Sequence, residues 1–397
     1  MTSAVIVDIV RTASGRGKPG GALHPVHPVN LLATTLQALI ERNSLDSAVV
    51  DDVIAGCVGQ VGDQALNIAR IAALAAGFPE AVPGTSVDRQ CGSSQQAAHF
   101  AAQGVMAGAY DVVIACGVES MSRVPMGSSA QGGRAYAPLA QRYPDGLVNQ
   151  GIGAEIITGR WKLDRAQLDE YSARSHERAA ATAASGGFDN EIVAVTVTTE
   201  DGQTHQHTVD ETVRAGTTVD ALAGLKPSFY NEALGRRFPE IGWNITPGNS
   251  SPLTDGASAA LIMSEEKASA LGLRPRARFH AFAVTGSDPL LMLTGVIPAT
   301  RKALERSGLT IDDMDAYEVN EAFAPVPLAW QNEFGADPAK LNARGGAIAL
   351  GHPLGGSGTK LLATLVNHLE ATGGRYGLQT MCEGGGMANA TIIERLG

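Results

Sequence analysis

Short apolar segments alternate with helical segments along most of the chain, and this pattern constrains the possible folds more than any other feature. The predicted strands are Ala4–Val10, Asp52–Gly56, Val112–Cys116, Ala259–Met263, Ala316–Val319 and Leu378–Cys382. The predicted helices are Leu31–Arg42, Asn67–Ala76, Ser93–Ala107, Ala299–Ser307 and Gly358–Leu369. Strands that alternate with helices predict an α/β fold with a mostly parallel sheet.

Segments near the N-terminus recur in the same order near the C-terminus. The matching pairs are Val50–Val53 with Ile311–Met314, offset by 261 residues, and Val112–Met121 with Leu378–Met387, offset by 266. The first offset maps Cys91 onto His352, and each of these residues precedes a turn of small residues and a helix. Ordered repeats predict a duplicated α/β unit. Its two halves would place Cys91 and His352 at equivalent helix starts, facing one central cleft.

The segment between the two halves has a different composition. It contains loops rich in Gly, Ser and Pro, an amphipathic helix over Arg165–Ala184, and a strand-like run over Ile192–Thr199. Such a segment is typical of an inserted domain that handles the substrate. The predicted domains are an N-terminal half (1–120 together with 251–271), the insertion (121–250) and a C-terminal half (272–397).

Charge and cysteine content exclude several classes of function. The formal net charge of −10 argues against a nucleic-acid binder. No apolar run approaches the roughly 18 residues of a membrane span, and Met1–Arg16 is interpreted as a first strand rather than a signal peptide. The four cysteines lie far apart, without zinc-binding spacing. This usage favours a reducing cytoplasm and single reactive thiols.

Cys91 lies in the segment Val87–Ala97, where a predicted strand ends and a helix begins. The positive end of a helix lowers the pKa of a nearby thiol and favours the thiolate. The backbone N–H of Cys91 could also help to bind an oxyanion. The alternative is a buried structural cysteine. The turn residues and the helix start favour a nucleophile.

Two further segments near the C-terminus carry polar groups at strand ends or in glycine-rich turns. His352 lies in Arg344–Gly358, a glycine-rich segment that lacks the Gly-Lys-Ser/Thr ending of a phosphate-binding loop. Taken alone, His352 could be a catalytic residue or a buried capping residue. Cys382 precedes the glycine turn Gly384–Gly386, and Asn320 ends another predicted strand. Ligands bind at the carboxyl ends of parallel strands.

Together these segments resemble the thiolase family along essentially the whole chain. The resemblance rests on the opening Val-Asp-Ile-Val-Arg-Thr, the Cys91 segment, Asn-Glu-Ala-Phe, Gly-His-Pro-x-Gly and Cys-x-Gly-Gly-Gly. It implies a five-layer αβαβα fold of two similar halves with an inserted loop domain. It also implies an acyl-CoA thioester substrate, coenzyme A as co-substrate, and no permanently bound cofactor or metal.

The resemblance implies a role for each matching residue. Cys91 would accept the acyl group, His352 would activate it, and Cys382 would exchange protons with the α-carbon and the CoA thiol. Asn320, through a water held with His352, would form one oxyanion hole, and the N–H groups of Cys91 and Gly384 the other. These roles fit the chemistry, because cleavage of a carbon–carbon bond through an enolate needs fixed donors and an acid.

Two residues are expected to bind coenzyme A. Arg214, within Arg214–Asp220, resembles the family residue that covers the adenine base, although a solvated surface arginine is the alternative. Ser251, at the end of Pro247–Ser251, resembles a contact in the pantetheine tunnel.

Three departures from the family pattern bear on specificity. The usual Cys-x-Ser-Gly is here Cys91–Ser94 with glycine second, and Met387–Ala388 replaces a glycine-ending turn. Asn149–Gly151 reads Asn-Gln-Gly where short-chain biosynthetic thiolases resemble one another in carrying His-Met-Gly. We therefore expect a degradative 3-ketoacyl-CoA thiolase with a bulkier acyl group, with a biosynthetic acetoacetyl-CoA thiolase as the alternative.

Two rival classes share the fold. Ketoacyl synthases pair one cysteine with histidines, so Cys382 argues against that class. A non-catalytic thiolase-like lipid carrier is disfavoured because Cys91, His352 and Cys382 are all present. The low charged fraction, 18%, and the resemblance together predict a homodimer or homotetramer.

Overall fold

The computed structural model describes residues 2–199 and 201–397. Its strands are β1 (Ala4–Thr12), β2 (Gly15–Arg16), β3 (Asp52–Gly56), β4 (Gly84–Val87), β5 (Val112–Ser120), β6 (Ile192–Val193), β7 (Val195–Thr198), β8 (Thr204–His207), β9 (Thr254–Ser264), β10 (Ala277–Gly286), β11 (Ala316–Val319), β12 (Tyr376–Glu383) and β13 (Met387–Arg395). Its helices are α1 (Pro28–Arg42), α2 (Ile68–Ala75), α3 (Ser93–Met106), α4 (Gln150–Arg160), α5 (Arg165–Ala184), α6 (Val219–Ala223), α7 (Glu232–Arg237), α8 (Glu265–Ala270), α9 (Val296–Ser307), α10 (Pro325–Phe334), α11 (Ala347–Leu350) and α12 (Ser357–Thr372).

The main sheet has the order β11-β12-β13-β10-β1-β9-β5-β3-β4. The same arrangement therefore occurs twice: β1-β9-β5-β3 in one half corresponds to β10-β13-β12-β11 in the other. The halves meet where β1 pairs antiparallel with β10, through Val5 with Arg278 and Ile6 with Ala277. The predicted α/β class of two similar halves is confirmed.

The sheet is mixed, so the prediction of a mostly parallel sheet is wrong. Only β3 with β4, β3 with β5, and β11 with β12 run parallel within the main order, and the remaining neighbours are antiparallel. The pattern missed β10 and β13. A three-glycine loop, Gly384–Gly386, joins β12 to β13, and so short a loop can connect only antiparallel strands. Gly385 and Gly386 have φ of 82° and 79°, values that favour glycine.

Helices α3 and α12 pack against each other between the two halves of the sheet. Their apolar faces share one buried cluster with residues of both halves, including Ala98 and Ala101 on α3 and Leu362 and Val366 on α12. Outside the sheet, α1 and α2 cover the first half and α9 and α10 lie against the second. The order of layers is helix, sheet, helices, sheet, helix. This places the N-termini of α3 and α12 side by side in the centre.

In the segment between the halves, helix α5 was predicted, whereas α4, α6 and α7 were not. Helix α5 has the predicted bounds and begins with a capping box at Asp164. The strand-like run over 192–199 is divided into β6 and β7, and the polar connection after it contains β8, which pairs with β7. A fully buried ion pair from Arg11 on β1 to Glu191, at 2.6 Å, ties this segment to the core. No helix among the described residues is long and apolar enough to cross a membrane.

Candidate active site

Cys91 lies on the short turn between β4 and α3. Gly92 is the N-cap of α3, so Cys91 stands one residue before the cap. The preceding residue, Gln90, has a left-handed backbone with φ of 48°, and Asp88 accepts its N–H at 2.7 Å. A non-glycine residue in this conformation stores backbone strain that the surrounding contacts must offset. The turn presents Cys91 in a buried position, with 5% of its surface exposed.

Burial dominates the ionisation of Cys91. It raises the pKa of the Cys91 thiol to about 12, and the carboxylate of Glu383 contributes to the rise. The backbone N–H groups of Cys91 and Gly384 and the side chain of Gln150 lower that pKa by smaller amounts. The prediction that a helix terminus would leave Cys91 with a lowered pKa is therefore wrong, because desolvation of the thiolate outweighs the helix and its donors.

Cys382 and Asn320 lie beside Cys91. Cys382 is fully buried near the end of β12, and burial followed by the charge of Cys91 raises its pKa. The side chain of Asn320, at the end of β11, lowers the pKa of the same thiol. Asn320 is also fully buried, and neither Nδ2 nor Oδ1 has a hydrogen-bond partner among the described residues. Two thiols and a free amide thus share one enclosed site.

His352 lies in the turn before α12 and is buried. Its Nδ1 lies 2.5 Å from the Ser357 hydroxyl, which donates its only proton to the Pro353 carbonyl at 2.9 Å. The hydroxyl must therefore accept from Nδ1–H, so that Nε2 carries the lone pair. Nε2 is buried and has no partner in the part of the chain that the structure describes. Burial, aided by the charge of Lys360, lowers the pKa of His352 to about 3, so the resting imidazole is neutral.

Two carboxyl groups hold the turns on either side of His352. Glu119, near the end of β5, accepts from the N–H of Gly355 at 2.8 Å and from Gln64 at 2.7 Å. Glu321, next to Asn320, accepts from the N–H of Ile348 at 3.0 Å. The sequence patterns did not identify Glu119, Glu321 or Ser357. The partners of Glu119 and Glu321 lie far away in sequence. Those of Ser357 are close, but a serine by itself carries no signal.

The turns that carry Cys91 and His352 are in contact. A Cβ placed on Gly56 would lie 2.3 Å from the N of Ser94 and 2.5 Å from the O of Gly355. The N–H of Thr359 on α12 donates to the Ser94 hydroxyl on α3 at 3.0 Å. The starts of the two helices that follow Cys91 and His352 therefore pack directly against each other.

The predicted coenzyme A contacts lie in the inserted segment and next to it. Arg214 is exposed, and its guanidinium forms no ion pair with any residue of 2–199 or 201–397. The Ser251 hydroxyl donates to the carbonyl of Ala322 at 3.1 Å, two residues beyond Asn320. Of the predicted specificity segment, Asn149 is exposed and caps α4 through the N–H of Ile152 at 3.0 Å. Gln150 alone approaches Cys91.

The arrangement supplies the groups that acyl transfer needs. The groups are a thiol at a helix start, a neutral imidazole with a free lone pair, a second thiol and an amide without a protein partner, and all are nearly excluded from water. Buried polar atoms without protein partners are the atoms that a bound substrate can satisfy.

Comparisons with known proteins agree with this reading. Residues 4–266 match the family model of the thiolase N-terminal domain, and residues 273–395 match that of the thiolase C-terminal domain. The fold, its site and these models define the class of the protein as an acyltransferase. The chain belongs to the thiolase family.

Individual relatives are similar over their full length. The chain is 51% identical to a steroid 3-ketoacyl-CoA thiolase of Mycobacterium tuberculosis, covering 100% of this chain and 95% of the relative. It is 43% identical to a 3-ketoacyl-CoA thiolase of Serratia proteamaculans, covering all of both chains. Among solved structures, an acetyl-CoA acetyltransferase of Bacillus anthracis superposes with a TM-score of 0.89 at 38% identity, covering 100% of this chain and 99% of that one.

Proposed function

We propose that this thiolase cleaves 3-ketoacyl-CoA with coenzyme A, giving acetyl-CoA and a shortened acyl-CoA. The observation that carries the proposal is the pair of buried thiols, Cys91 and Cys382. The charge of Cys91 raises the pKa of Cys382, and Glu383, the residue after Cys382, raises the pKa of Cys91. A ketoacyl synthase needs one thiol and a lipid carrier needs none. Relatives named 3-ketoacyl-CoA thiolase support the degradative direction.

The proposed reaction has two stages. Cys91 transfers its proton to Nε2 of His352 and attacks the 3-keto carbon; the C2–C3 bond then breaks, and Cys382 protonates the departing enolate. The Cys382 thiolate next takes the proton of coenzyme A, whose sulfur attacks the acyl group on Cys91. The bond from that acyl group to the Cys91 sulfur breaks, and Nε2–H of His352 returns its proton to the sulfur, which restores the free thiol. Because the resting pair is a thiol and a neutral imidazole, proton transfer accompanies the attack and no ion pair is formed in advance.

The proposed oxyanion holes use the remaining groups. The N–H groups of Cys91 and Gly384 would stabilise the oxyanion on the acyl carbon, and both favour negative charge on the Cys91 sulfur. Nε2 of His352, once it carries the proton taken from Cys91, and a water held by the amide of Asn320 would donate to the thioester oxygen as the enolate forms. Arg214 and Ser251 would contact the nucleotide and pantetheine parts of coenzyme A.

The acyl group is proposed to be larger than acetoacetyl. Gln150 replaces the methionine of the short-chain pattern, and its side chain lies beside the Cys91 sulfur. The relative at 51% identity is named for a steroid substrate, which supports a bulky acyl group.

Release of acetyl-CoA from a series of 3-ketoacyl-CoA substrates tests the function. We expect faster thiolysis for acyl groups larger than acetoacetyl, in graded steps, because each methylene is worth only about 1–3 kcal/mol. Peptide mass spectrometry after an acyl-CoA pulse should place the acyl group on Cys91. No thiolysis of any member would refute the function, and a strict acetoacetyl-CoA preference would refute the size assignment.

The protein is also proposed to work as a homodimer or homotetramer in the cytoplasm. Strand β4 ends the main sheet, and its outer edge has no strand partner within the described ranges. Leu66, Leu74 and Phe100 are exposed apolar side chains near α2 and α3, which pack beside β4. Light scattering should give two or four times the chain mass of 41.0 kDa. A single-chain mass at micromolar concentration would refute this.

The cysteines support the proposed compartment. All four are free and buried, which suits a reducing compartment.

A further inference from the structure

The carboxyl group of Glu383 is buried behind Cys91 without a hydrogen-bond partner. The residue is 0% exposed, and neither Oε1 nor Oε2 is hydrogen-bonded to any other described residue. Glu383 ends β12 directly after Cys382. A buried carboxyl group normally has several donors, as Glu119 does, so an unpartnered one needs an explanation. The mechanism proposed above does not use it.

The space that Glu383 occupies exists because residue 92 is glycine. A Cβ at Gly92 would lie 2.1 Å from Oε1 of Glu383 and 2.7 Å from Nδ2 of Asn389. Nδ2 of Asn389 also donates to the carbonyl of Gly92 at 3.0 Å. The glycine that departs from the family pattern next to Cys91 therefore makes room for the acidic residue next to Cys382. The two motifs form one contact that brings a carboxyl group to the nucleophile.

We propose that Glu383 is a positioning residue whose carboxyl group controls how readily the Cys91 thiol ionises. The role of Cys91 as nucleophile rests on the proposed function, but the effect of Glu383 on its ionisation does not. When the carboxyl group is protonated, the pocket behind Cys91 is neutral and permits a thiolate. When it is ionised, two negative charges would share a buried pocket, and the thiol keeps its proton.

The surrounding charges set the pH range of this control. Burial raises the pKa of Glu383 to about 8, while Arg89 lowers it and Asp88 raises it further. Arg89 forms no ion pair with Glu383 in the described structure. Glu383 therefore ionises as the pH rises through about 8, and its charge then raises the pKa of Cys91. Thiolate formation is suppressed in the alkaline range, where an unhindered cysteine would react fastest.

Alkylation of the full-length protein by iodoacetamide tests the proposal. The rate at Cys91, followed by mass spectrometry of its peptide between pH 6 and 10, reports the thiolate fraction. In Glu383→Gln we expect the profile to move to lower pH by about one unit or more, the usual effect of removing a nearby like charge. Because Glu383 is only half ionised near pH 8, alkylation of the variant should be about twofold faster than that of the wild type at pH 8 and about tenfold faster at pH 10.

Two further variants separate an electrostatic role from a structural one. Glu383→Ala removes the charge by truncation and must shift the profile in the same direction. Asp255→Asn removes another buried carboxyl group whose pKa is raised to about 6 but which does not influence Cys91, and it must leave the profile unmoved. An unchanged or alkaline-shifted profile in both Glu383 variants would overturn the proposal, as would opposite shifts in the two. Because iodoacetamide needs no acyl-CoA recognition, this result is independent of whether thiolysis is observed.

Discussion

The two central helices begin in similar ways, but their reactive residues are held differently. Both α3 and α12 have a glycine N-cap, Gly92 and Gly356, with φ of −91° and −88°. Cys91 lies one residue before its cap, whereas His352 lies four residues before its cap, because a 3₁₀ turn over Leu354–Gly356 intervenes. The predicted equivalence of the two helix starts therefore holds for the helices and not for the residues.

This difference corresponds to two kinds of chemistry. The first turn is tight, so Cys91 remains near backbone N–H groups that can stabilise negative charge. The second turn is longer, so the ring of His352 can fold back onto the hydroxyl of Ser357, the first residue of α12. Each half also depends on the other: Glu119 of the first half holds Gly355, and Glu383 of the second half lies against Gly92. The two halves therefore share their arrangement of strands and helices, and the candidate site is formed where their turns differ.

Removing the thiol of either half should have the largest effect on activity. Cys91→Ser should abolish acylation from a simple acyl-CoA. Cys382→Ser should retain substantial acylation but lose about 10²–10⁴-fold in thiolysis, the usual contribution of a positioned acid or base. Mass spectrometry of the acylated peptide and the release of acetyl-CoA measure the two steps separately. Near-normal thiolysis in Cys382→Ser would make that cysteine structural, and acylation found on Cys382 would reverse the roles.

Removing the support of His352 should have an intermediate effect. Ser357→Ala leaves the buried Nδ1–H without its acceptor, at a cost of about 1–3 kcal/mol. If that cost falls on the orientation of the imidazole, acylation of Cys91 should slow by about 10–100-fold. The rate of acylation of Cys91 in a single turnover measures this effect. Ser307→Ala, on the outer helix α9, is the matched control, because its hydroxyl donates to Leu304 at 2.8 Å and accepts from Leu309 at 3.1 Å and does not contact His352. Equal rates in the two variants would mean that Ser357 does not orient the ring.

The smallest expected effect concerns the approach of the two helices. A Cβ on Gly358 of α12 would lie 2.1 Å from the backbone N of Gln95 on α3. Gly358→Ala should therefore lower the free energy of unfolding by about 1–3 kcal/mol, as overpacking does. Gly224→Ala, whose nearest neighbour would be 3.8 Å away, should stay within about 0.5 kcal/mol of the wild type. Urea unfolding of both variants checks the difference, and equal stabilities would contradict the close helix contact.

Elements with strong local signals could be predicted from the sequence. Residues 165–184 carry a capping signal and a continuous helical pattern, and the predicted bounds agree with α5. The buried strand β11 was likewise predicted with its observed bounds, Ala316–Val319. The segments that recur in the same order in both halves predicted the duplicated architecture. The motifs around Cys91, Asn320, His352 and Cys382 identified the family. These signals are local because they depend on periodicity, caps and turn residues within one segment.

The interactions between these segments depend on the tertiary structure. The pKa of Cys91 is set by burial and by Glu383, which is nearly 300 residues away along the chain. Strands β10 and β13 were not predicted from their own residues, and in the structure they pair antiparallel with each other. The contact of Gly92 with Glu383 likewise arises where β12 meets the start of α3. Desolvation and charge depend on what surrounds a group in space, and a local pattern cannot report that.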